Sequence, residues 1–586
     1  MAEDSFMEEQ IRIFEGIKDT PFYPPLSHEN DHDYIVSSID DVLVPLIDEN
    51  DVILVCGSYF GDEGKGKLTD AIGNNEFIGM ILRMNSGENA GHTVWANGQK
   101  YVFHLTPSGI MAPEKTCMIG PECVMDPVNF FDKEVSSLIE ADVDYGGRFF
   151  VGNVHVVGPH HKIMDFALSP QNSSTLMGMS YVHASKVMKR GLRLDHLFNG
   201  REESARILEK DIFAYEAMLR HSGRSEKDIL MDLEDFSKVR SIPDHLFEFL
   251  EAKDKKTYTL DLYSRKVVDN DDFPMRTDVN HKLNDGLAEG KKALIESPQS
   301  FWLSNATENH WPSSTSAQTH AAGVLAATRI NPAKYNIAVV NIAKTPADSR
   351  VGIGSNPSSF VPQDYFSMKG IQSLDDSKIS GACIDFAAIQ KQYFSSVQEN
   401  GILEPIIYRD STGEYSISEA MAIASSRQFG ERGATTGKPR CVGMFDCVAA
   451  AKVNEAQGPY LSISAMDRGD HHDLVGLVVG YVVHHPEGES MDSNGNVYTN
   501  GDMIGIGGPY PNDHVLRHCY PIIKVMEGWK NTPIGGREWG EGDRLPKPVR
   551  DFIGMIEKLT GFEVMAIGNG PESDDMIYVE RGKRRE

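Results

Sequence analysis

Cysteine is scarce in this chain: seven thiols are scattered through 586 residues, and none forms a C-x-x-C pair. This distribution argues against a disulfide framework and a zinc site, and it is typical of reduced intracellular thiols. Positive charge is also in deficit, because the formal net charge is −28. That deficit argues against a general binder of nucleic acid, whereas a small phosphorylated substrate can still bind to the backbone N–H groups of a local loop.

Long apolar runs are missing as well. The strongest run, residues 474–483, is far too short to span a bilayer and predicts a buried strand. The first ten residues are acidic and lack the apolar core of a signal peptide. With 40% hydrophobic and 24% charged residues, the composition is that of a globular protein. We therefore expect a cytoplasmic protein that binds neither membrane nor nucleic acid.

Several continuous apolar runs predict strands that are buried on both faces, as in a parallel sheet covered by helices. They are residues 51–57, 149–157, 336–342, 474–483 and 563–567. The predicted fold class is therefore α/β, with a large, mostly parallel twisted sheet, flanking helices and a P-loop-like phosphate loop.

The chain divides into regions of different character. Residues 1–50 are interpreted as an N-terminal extension and residues 51–586 as the catalytic domain. Residues 204–223 carry apolar side chains at helical spacing between a cap-like Ser204 and Gly223, which predicts a helix. Residues 355–430 contain clusters of Ser, Asp and Gly, which are typical of loops.

The sharpest signal is a glycine- and lysine-rich turn, G-S-Y-F-G-D-E-G-K-G-K at residues 57–67, which precedes a helix predicted near Leu68. Glycines let the backbone approach an anion closely, so that successive N–H groups converge on phosphate oxygens. The helix N-terminus adds positive potential. Residues 61–67 fit G-x-x-x-x-G-K, but Leu68 replaces the Ser or Thr that binds magnesium in an ordinary P-loop. We therefore predict that Asp62, inside the loop, is the metal ligand.

A second polar cluster, R-M-N-S-G-E-N-A-G-H-T, occupies residues 83–93. An isolated histidine is more often a structural hydrogen-bonding group than a catalyst. His92, however, stands beside Asn89, Gly91 and Thr93 and shortly after the phosphate loop. We therefore predict that His92 is an acid in catalysis.

These two motifs resemble the N-terminal signatures of the adenylosuccinate synthetase family. Further anchors follow in the family's order: H-L-T-P-S-G-I at 104–110, K-V-M-K-R-G-L-R at 186–193, the segment around Gln299, W-P-S-S-T-S at 311–316, R-V-G-I-G at 350–354, G-A-T-T-G-K-P-R at 433–440 and N-G-P-E at 569–572. The resemblance is thin at about 200–290 and 355–430, which are therefore predicted to be insertions in the catalytic domain. The resemblance also implies a homodimer.

The reaction implied by the resemblance is IMP + aspartate + GTP → adenylosuccinate + GDP + phosphate, with Mg²⁺ as cofactor. The purine 6-oxygen is a poor leaving group, so it is first phosphorylated and then displaced by the amine of aspartate. The catalytic residues implied are Asp62, His92, Lys65 and Gln299. Asp62 would take the N1 proton, His92 would donate to the 6-oxygen, and Lys65 would contact the transferred phosphoryl group. Asp62 and the Gly91 carbonyl would hold the metal.

Binding residues are also implied by the resemblance. For GTP they are Gly61, Asp62, Glu63, Gly64, Lys65, Gly66, Lys67, Gly91, His92, Thr93, Arg440, Asp467, Gly568, Asn569 and Gly570. For IMP they are Asn89, Ala90, Thr175, Lys189, Gln299, Thr315 and Lys438, where Lys189 replaces an arginine that reaches across a dimer interface. For aspartate they are Ala434, Thr435, Thr436, Gly437, Lys438 and Arg440.

Some positions depart from the family's pattern. Residues 438–440 are K-P-R where the family has arginines, and Met177 replaces another arginine. The segment that reads guanine is S-A-M-D at 464–467 and keeps only Asp467, which leaves the donor open between GTP and ATP. A viral branch of the family makes 2-aminoadenylosuccinate from dGMP and has a small residue in place of the catalytic aspartate. The presence of Asp62 therefore favours IMP over GMP or dGMP.

Two functions of other classes stay open on the sequence. The first is a different P-loop phosphotransferase, and both Leu68 and the ordered anchors count against it. The second is an inactive relative that only binds nucleotide. The presence of Asp62, Lys65, His92 and Gln299 counts against that alternative.

Overall fold

A computed structural model describes residues 34–89, 91–96, 99–168, 177–238, 241–352, 354–361, 384–400, 407–409, 414–432, 440–485, 488–572 and 574–581. The strands in chain order are β1 (Tyr34–Ser37), β2 (Val52–Gly57), β3 (Ile78–Ser86), β4 (His92–Ala96), β5 (Gln99–Phe103), β6 (Thr116–Met125), β7 (Phe149–Val151), β8 (His155–Val156), β9 (Met275–Arg276), β10 (Lys292–Ser300), β11 (Ile337–Lys344), β12 (Asp348–Arg350), β13 (Ile407–Arg409), β14 (Glu414–Ser416), β15 (Cys441–Gly443), β16 (Phe445–Asp446), β17 (Tyr460–Ser464), β18 (Leu474–Val483), β19 (Glu489–Met491), β20 (Val497–Thr499), β21 (Met503–Gly505), β22 (Cys519–Glu527), β23 (Glu563–Gly568) and β24 (Met576–Arg581).

A twelve-stranded sheet forms the centre of the described structure, in the order β1-β24-β23-β17-β11-β2-β10-β3-β6-β7-β9, with β8 also paired to β6. The pairs from β23 across to β9 are parallel, and only β1 and β24 at one edge run antiparallel to their neighbours. The predicted α/β fold with a mostly parallel sheet is confirmed.

Strand β2 shows why the continuous apolar pattern predicts a central strand. All six of its residues are buried. Ile53 and Val55 belong to one hydrophobic cluster, whereas Val52, Leu54 and Cys56 belong to another on the opposite face. Because side chains alternate along a strand, both faces of the sheet are covered at this position.

Helices pack on both faces of this sheet and extend from it. Those of eight or more residues are α1 (Ile39–Glu49), α2 (Lys65–Asn74), α3 (Pro159–Leu168), α4 (Met179–Val187), α5 (Arg201–Ser222), α6 (Glu226–Ser237), α7 (Asp244–Glu251), α8 (Lys255–Tyr263), α9 (Val279–Ala288), α10 (Ala321–Thr328), α11 (Phe386–Asn400), α12 (Ile417–Gln428), α13 (Cys447–Gln457) and α14 (Lys547–Thr560). The prediction of a helix over 204–223 is right in type, but α5 starts three residues earlier, after Gly200. Within the described residues, no helix is both long and apolar enough to span a bilayer.

The apolar run 474–483 is a strand with the predicted bounds, but its place in a parallel sheet is wrong. Strand β18 lies in a second sheet, where β21 and β22 run antiparallel to it and β16 runs parallel. Its core-facing side chains pack in two separate hydrophobic clusters. The continuous apolar run of β18 therefore reflects burial of both faces of the strand, and this burial does not require a parallel sheet.

The structure adds detail to two regions of the chain. Residues 355–430 include helices α11 and α12, so the loop composition there did not exclude helix. Within residues 1–50, which are interpreted as an N-terminal extension, β1 pairs with β24 at the edge of the main sheet. Helix α1 then leads directly into β2. Residues 1–33 lie outside the described part of the chain.

Candidate active site

Most of the predicted site residues in the described chain lie at one edge of the main sheet. Because the strands are parallel, their carboxyl ends meet at that edge, where ligands of open α/β sheets bind. Loop 58–64 follows β2, Gln299 lies near the end of β10, and the His92 segment follows β3. The turn 465–467 follows β17, and Asn569 follows β23. We call this edge the candidate active site.

The backbone of the phosphate loop has a conformation suited to an anion. Gly61, Asp62 and Gly64 have φ of 92°, 59° and 77°, and a positive φ is costly for a residue other than glycine. Helix α2 starts at Lys65, three residues before the predicted start, and no side chain caps its N-terminus. Its first N–H groups are therefore directed at the space beside the loop.

Glu63 holds this loop from the inside. Its buried carboxylate accepts hydrogen bonds from the Tyr59 and Gly61 N–H groups at 3.0 Å and from Ser300 Oγ at 2.5 Å. It also forms an ion pair with Lys65 at 2.9 Å. Burial alone raises the pKa of Glu63, but Lys65 and Ser300 bring it below its ordinary value. The side chain of Glu63 is thus committed to the loop, and only its backbone is available for the predicted contact with GTP.

Ser300 supports the phosphate loop, and the sequence did not lead us to predict it. Its hydroxyl also accepts a hydrogen bond from Gly61 N–H at 3.0 Å. A Cβ atom at Gly57 would lie only 2.1 Å from Ser300 Oγ, so the two elements are in close contact. The position of Ser300 directly after Gln299 was the available signal.

The predicted nucleotide-base residues come together at the ends of β17 and β23. A Cβ atom at Gly568 would lie 3.1 Å from Ala465 N, so the two turns are packed against each other. Lys67 donates to the Gly570 carbonyl. Burial lowers the pKa of Lys67, while Asp575 and Asp467 oppose that shift. Asn569 Oδ1 is buried without a hydrogen-bond partner among the described residues, as expected of a group that awaits a ligand.

His92 begins a hairpin formed by β4 and β5, and β4 packs against α2. Neither ring nitrogen of His92 makes a hydrogen bond of normal geometry within the described structure. Burial, with added repulsion from Arg83 and His104, lowers the pKa of His92 to about 3. The ring of His104 lies under Gly91, since a Cβ atom there would be 3.1 Å from His104 Cε1. The imidazole of His92 is therefore neutral at physiological pH.

Gln299 carries two marks of a functional residue. Its φ is 61°, a strained value for this residue type, and its Oε1 is buried without a partner among the described residues. Strain of this kind concentrates at active sites. Asn89 accepts a long hydrogen bond of 3.4 Å from Ser86, and Thr315 N–H donates to the Leu303 carbonyl at 2.7 Å.

Arg440 connects the phosphate loop to a buried ion cluster. Its guanidinium pairs with Asp62, whose side chain is 55% exposed, and lies 3.6 Å from a Glu431 oxygen. Burial and nearby Arg468 lower the pKa of Arg440 to about 10. Sequence reasoning missed Glu431, although it stands two residues before the G-A-T-T-G anchor.

The remaining predicted residues are not brought to this edge by any described contact. Lys189 lies on an exposed turn after α4 with φ of 57°, beside the exposed side chains of Val187 and Met188. Thr93 lies in β4, but its side chain is not described. Ala90, Thr175, Ala434, Thr435, Thr436, Gly437 and Lys438 lie outside the described residues.

A second group of ligand-type side chains, His160, His161 and Asp211, lies away from this edge on α3 and α5. Both histidine Nε2 atoms are 3.0–3.1 Å from the same Asp211 oxygen. Gly158 N–H donates to His161 Nδ1, so a neutral His161 carries its proton on Nε2 and donates it to Asp211. Ser185 Oγ and Arg190 also contact Asp211, so the Asp211 carboxylate is engaged by four side chains, whereas His160 Nδ1 is buried without a partner among the described residues.

Comparison with known proteins agrees with the arrangement at this edge. The family model described as adenylosuccinate synthetase matches residues 54–577. The chain is 46% identical over 582 residues to the adenylosuccinate synthetase of Trypanosoma brucei gambiense, which covers 98% of this chain and 96% of the relative. It is 48% identical over 560 residues to that of Leishmania infantum, which covers 94% and 79%. The fold is similar to that of fully ligated adenylosuccinate synthetase from Plasmodium falciparum, with a TM-score of 0.59, 22% identity and coverage of 90% and 99%.

Proposed function

The chain belongs to the adenylosuccinate synthetase family, and we propose that the edge described above performs both steps of that family's reaction. The protein is a GTP-dependent ligase that joins aspartate to IMP and releases GDP and phosphate. The relatives favour neither 2-aminoadenylosuccinate synthesis, nor another P-loop phosphotransferase, nor an inactive nucleotide-binding protein. The convergence of Asp62, His92 and Gln299 at the carboxyl edge carries the assignment of roles.

Asp62 acts as the base that removes the N1 proton of IMP. Its side chain is 55% exposed, so it can reach a substrate, and the residue has a positive φ of 59° within the loop. Removal of the proton places negative charge on the 6-oxygen, which then attacks the γ-phosphorus of GTP. Arg440 pairs with one of the two carboxylate oxygens of Asp62, Oδ2.

His92 donates a hydrogen bond to the 6-oxygen as a neutral imidazole. Because the pKa of His92 is about 3, the ring is neutral at pH 7, and the donor is the single N–H of the neutral imidazole. A neutral donor stabilises charge that develops on oxygen without giving the proton away. Gln299, whose Oε1 is buried without a partner among the described residues, and Asn89 contact the purine base, while Thr175 and Thr315 hold the 5′-phosphate. Ala90 and Lys438 complete the IMP site, and Lys189 reaches it across the proposed dimer interface.

The phosphates of GTP bind to the backbone of residues 61–67 and to Lys65 and Lys67. The positive end of α2 adds to this binding. Asp467 and Asn569 lie where the base of the nucleotide binds, at the contact between the turns after β17 and β23. Gly66, Gly91, Thr93, Gly568 and Gly570 complete the GTP site. The aspartate substrate binds to Arg440 and to residues 434–438.

The donor set of the loop fits Mg²⁺, which prefers oxygen ligands and retains water. Asp62 offers a carboxylate oxygen and Gly91 a backbone carbonyl, while Leu68 is buried and offers none. When bound, the ion neutralises charge on the β- and γ-phosphate oxygens. Lys65 supplies point charge at the same phosphoryl group.

We also propose a homodimer and a cytoplasmic location. Val187 and Met188 are 78% and 62% exposed beside Lys189, and such exposed apolar side chains favour a protein contact at that turn. The six cysteines of the described chain are free thiols, which favours a reducing compartment.

One experiment tests the assignment. The purified protein is incubated with aspartate and magnesium while IMP, GMP and dGMP are crossed with GTP and ATP, and product masses are measured. Adenylosuccinate is expected from IMP with GTP, and Asp62→Asn should lower the rate of its formation by about 10²–10⁴-fold. The matched control is Asp142→Asn, because Asp142 is exposed and also has a positive φ of 54°. Full turnover by Asp62→Asn would overturn the role of the base.

A further inference from the structure

Glu431 lies between the part of the site assigned to aspartate and the part assigned to the nucleotide base. In sequence, Glu431 and Arg440 flank residues 433–439, which include the proposed aspartate contacts. The two flanking residues are joined by a hydrogen bond from Arg440 N–H to the Glu431 carbonyl at 3.0 Å. The Glu431 side chain is 4% exposed, so its charge must be balanced within the protein.

Three cations from three different elements surround this carboxylate. Lys344 Nζ, at the end of β11, lies 3.0 Å and 3.1 Å from the two oxygens of Glu431. Arg468 Nη2, just after β17, donates to Glu431 at 2.6 Å. Arg440 Nη1, just before β15, lies at 3.6 Å. We refer to these four residues as the Glu431 cluster.

The charges of the cluster do not balance. Burial alone raises the pKa of Glu431, but Lys344 and Arg468 hold it below its ordinary value, so Glu431 is ionised at neutral pH. Burial raises the pKa of neighbouring Asp348 well above its ordinary value. Within the cluster, three cations face the one carboxylate of Glu431, and Arg440 is shared with Asp62 of the phosphate loop.

The two arginines of the Glu431 cluster contact different parts of the site. Arg440 also forms an ion pair with Asp62 in the phosphate loop. Arg468 follows Asp467 directly, donates to the Ala347 carbonyl at 2.8 Å and stacks on Phe429 at 4.9 Å. A change in the position of one cation therefore changes the electrostatic field at the other cations and the space that is available to them.

We infer that Glu431 is a positioning residue that couples aspartate binding to nucleotide binding. This inference rests on the proposed roles of Arg440 and Asp467. A nucleotide that orders the turn at Asp467 also fixes Arg468, which fixes Glu431 and through it Arg440. Aspartate then meets an oriented guanidinium. Because coupling between sites is reciprocal, bound aspartate tightens nucleotide binding by the same factor.

The test uses the full-length protein saturated with IMP. The dissociation constant of a non-hydrolysable GTP analogue is measured by calorimetry with and without saturating aspartate, and the ratio of the two constants is the coupling factor. We expect a factor of about ten in the wild type, within the usual range of such couplings. In Glu431→Gln the factor should fall to about one.

A matched control separates positioning from stability. Glu557 is also a buried carboxylate, which accepts hydrogen bonds from Tyr34 and from Val564 N–H at the opposite end of β23. Glu557→Gln should lower the unfolding temperature without changing the coupling factor. If Glu557→Gln reduces the coupling factor as strongly as Glu431→Gln does, general loosening explains the effect and the inference is wrong.

A second variant keeps the inference testable if Glu431→Gln does not fold. Arg468→Gln removes the cation that connects Glu431 to the turn at Asp467, and it should also reduce the coupling factor to about one. The double variant should be no worse than either single variant, because both changes cut the same connection. An undiminished coupling factor in Arg468→Gln overturns the inference, even where the wild type makes adenylosuccinate. Absence of adenylosuccinate from the wild type would instead overturn the proposed function.

Discussion

Replacement of Glu63 by glutamine tests how the phosphate loop is held in its anion-binding conformation. The carboxylate of Glu63 is fully buried and accepts from two backbone N–H groups, from Ser300 and from Lys65. Glutamine has nearly the same shape, so it leaves no cavity. Its amide oxygen can still serve the Tyr59 and Gly61 N–H groups, whereas its NH₂ group cannot accept from Lys65.

The cost follows from the contacts that are lost. A hydrogen bond to a charged group contributes about 1.5–3 kcal/mol. Lys65 is 18% exposed and regains some water, which reduces the loss, while the Ser300 hydroxyl must turn to accept from the new NH₂ group. We therefore expect the free energy of unfolding to fall by about 2 kcal/mol. Lys65 also loses its direction, so the KM for GTP should rise about tenfold, equivalent to ~1.4 kcal/mol.

Urea denaturation and GTP titration of initial rates measure both effects. The control is Glu114→Gln, which removes an exposed carboxylate 3.6 Å from Lys115 and should cost less than about 0.5 kcal/mol. The difference in the free energy of unfolding between the wild type and Glu63→Gln should decrease at acid pH. Ionised Glu63 stabilises the fold fully above about pH 4.5, and that contribution is lost as the pH falls through the lowered folded pKa. Equal stability of wild type and Glu63→Gln at pH 7 would refute this account of the loop.

Three further predictions concern the same edge. Asp62→Asn and His92→Asn should each lower kcat by about 10²–10⁴-fold while the urea midpoint stays unchanged, and near-normal kcat in either variant would remove its catalytic role. The His92 Cε1 proton should show no NMR titration between pH 5 and 8, because the pKa is about 3; a midpoint near 6.5 would contradict a buried neutral ring. Gly57→Ala would place its Cβ 2.1 Å from Ser300 Oγ. This clash should lower the free energy of unfolding by about 1–3 kcal/mol and weaken GTP binding. Urea denaturation measures the first effect and calorimetry the second.

Local patterns in the sequence predicted the positions of strands and helices better than they predicted which strands pair with each other. The apolar run before Gly57 and the glycines after it specified both the central strand and the loop. The run 474–483 was equally clear as a strand, yet its partners are antiparallel. Continuous hydrophobicity reports burial on both faces, and a second sheet beneath helices α11 and α13 provides that burial as well as a parallel sheet does.

The site shows the same limit at the level of side chains. The loop motif and the order of the anchors identified Asp62, Lys65 and His92 as residues of one edge. The motif could not show that the Glu63 carboxylate faces inward, because that direction depends on Ser300, 237 positions later in the chain. Glu431 was missed for a related reason, since its partners come from β11 and from the turn after β17.

Buried carboxylates explain how a chain with a net charge of −28 can bind three anionic substrates at one edge. Glu63 directs Lys65, and Glu431 directs Lys344 and Arg468, so these two acids orient cations and do not face the ligands. Asp348, the third buried acid beside them, differs from these two, because burial raises its pKa well above the ordinary value. Substrate anions therefore meet oriented cations and free helix N–H groups, while most of the chain's negative charge lies elsewhere. It follows that neutralising surface acids should change how fast substrates arrive but not how they are held, whereas changing either Glu63 or Glu431 should alter binding itself.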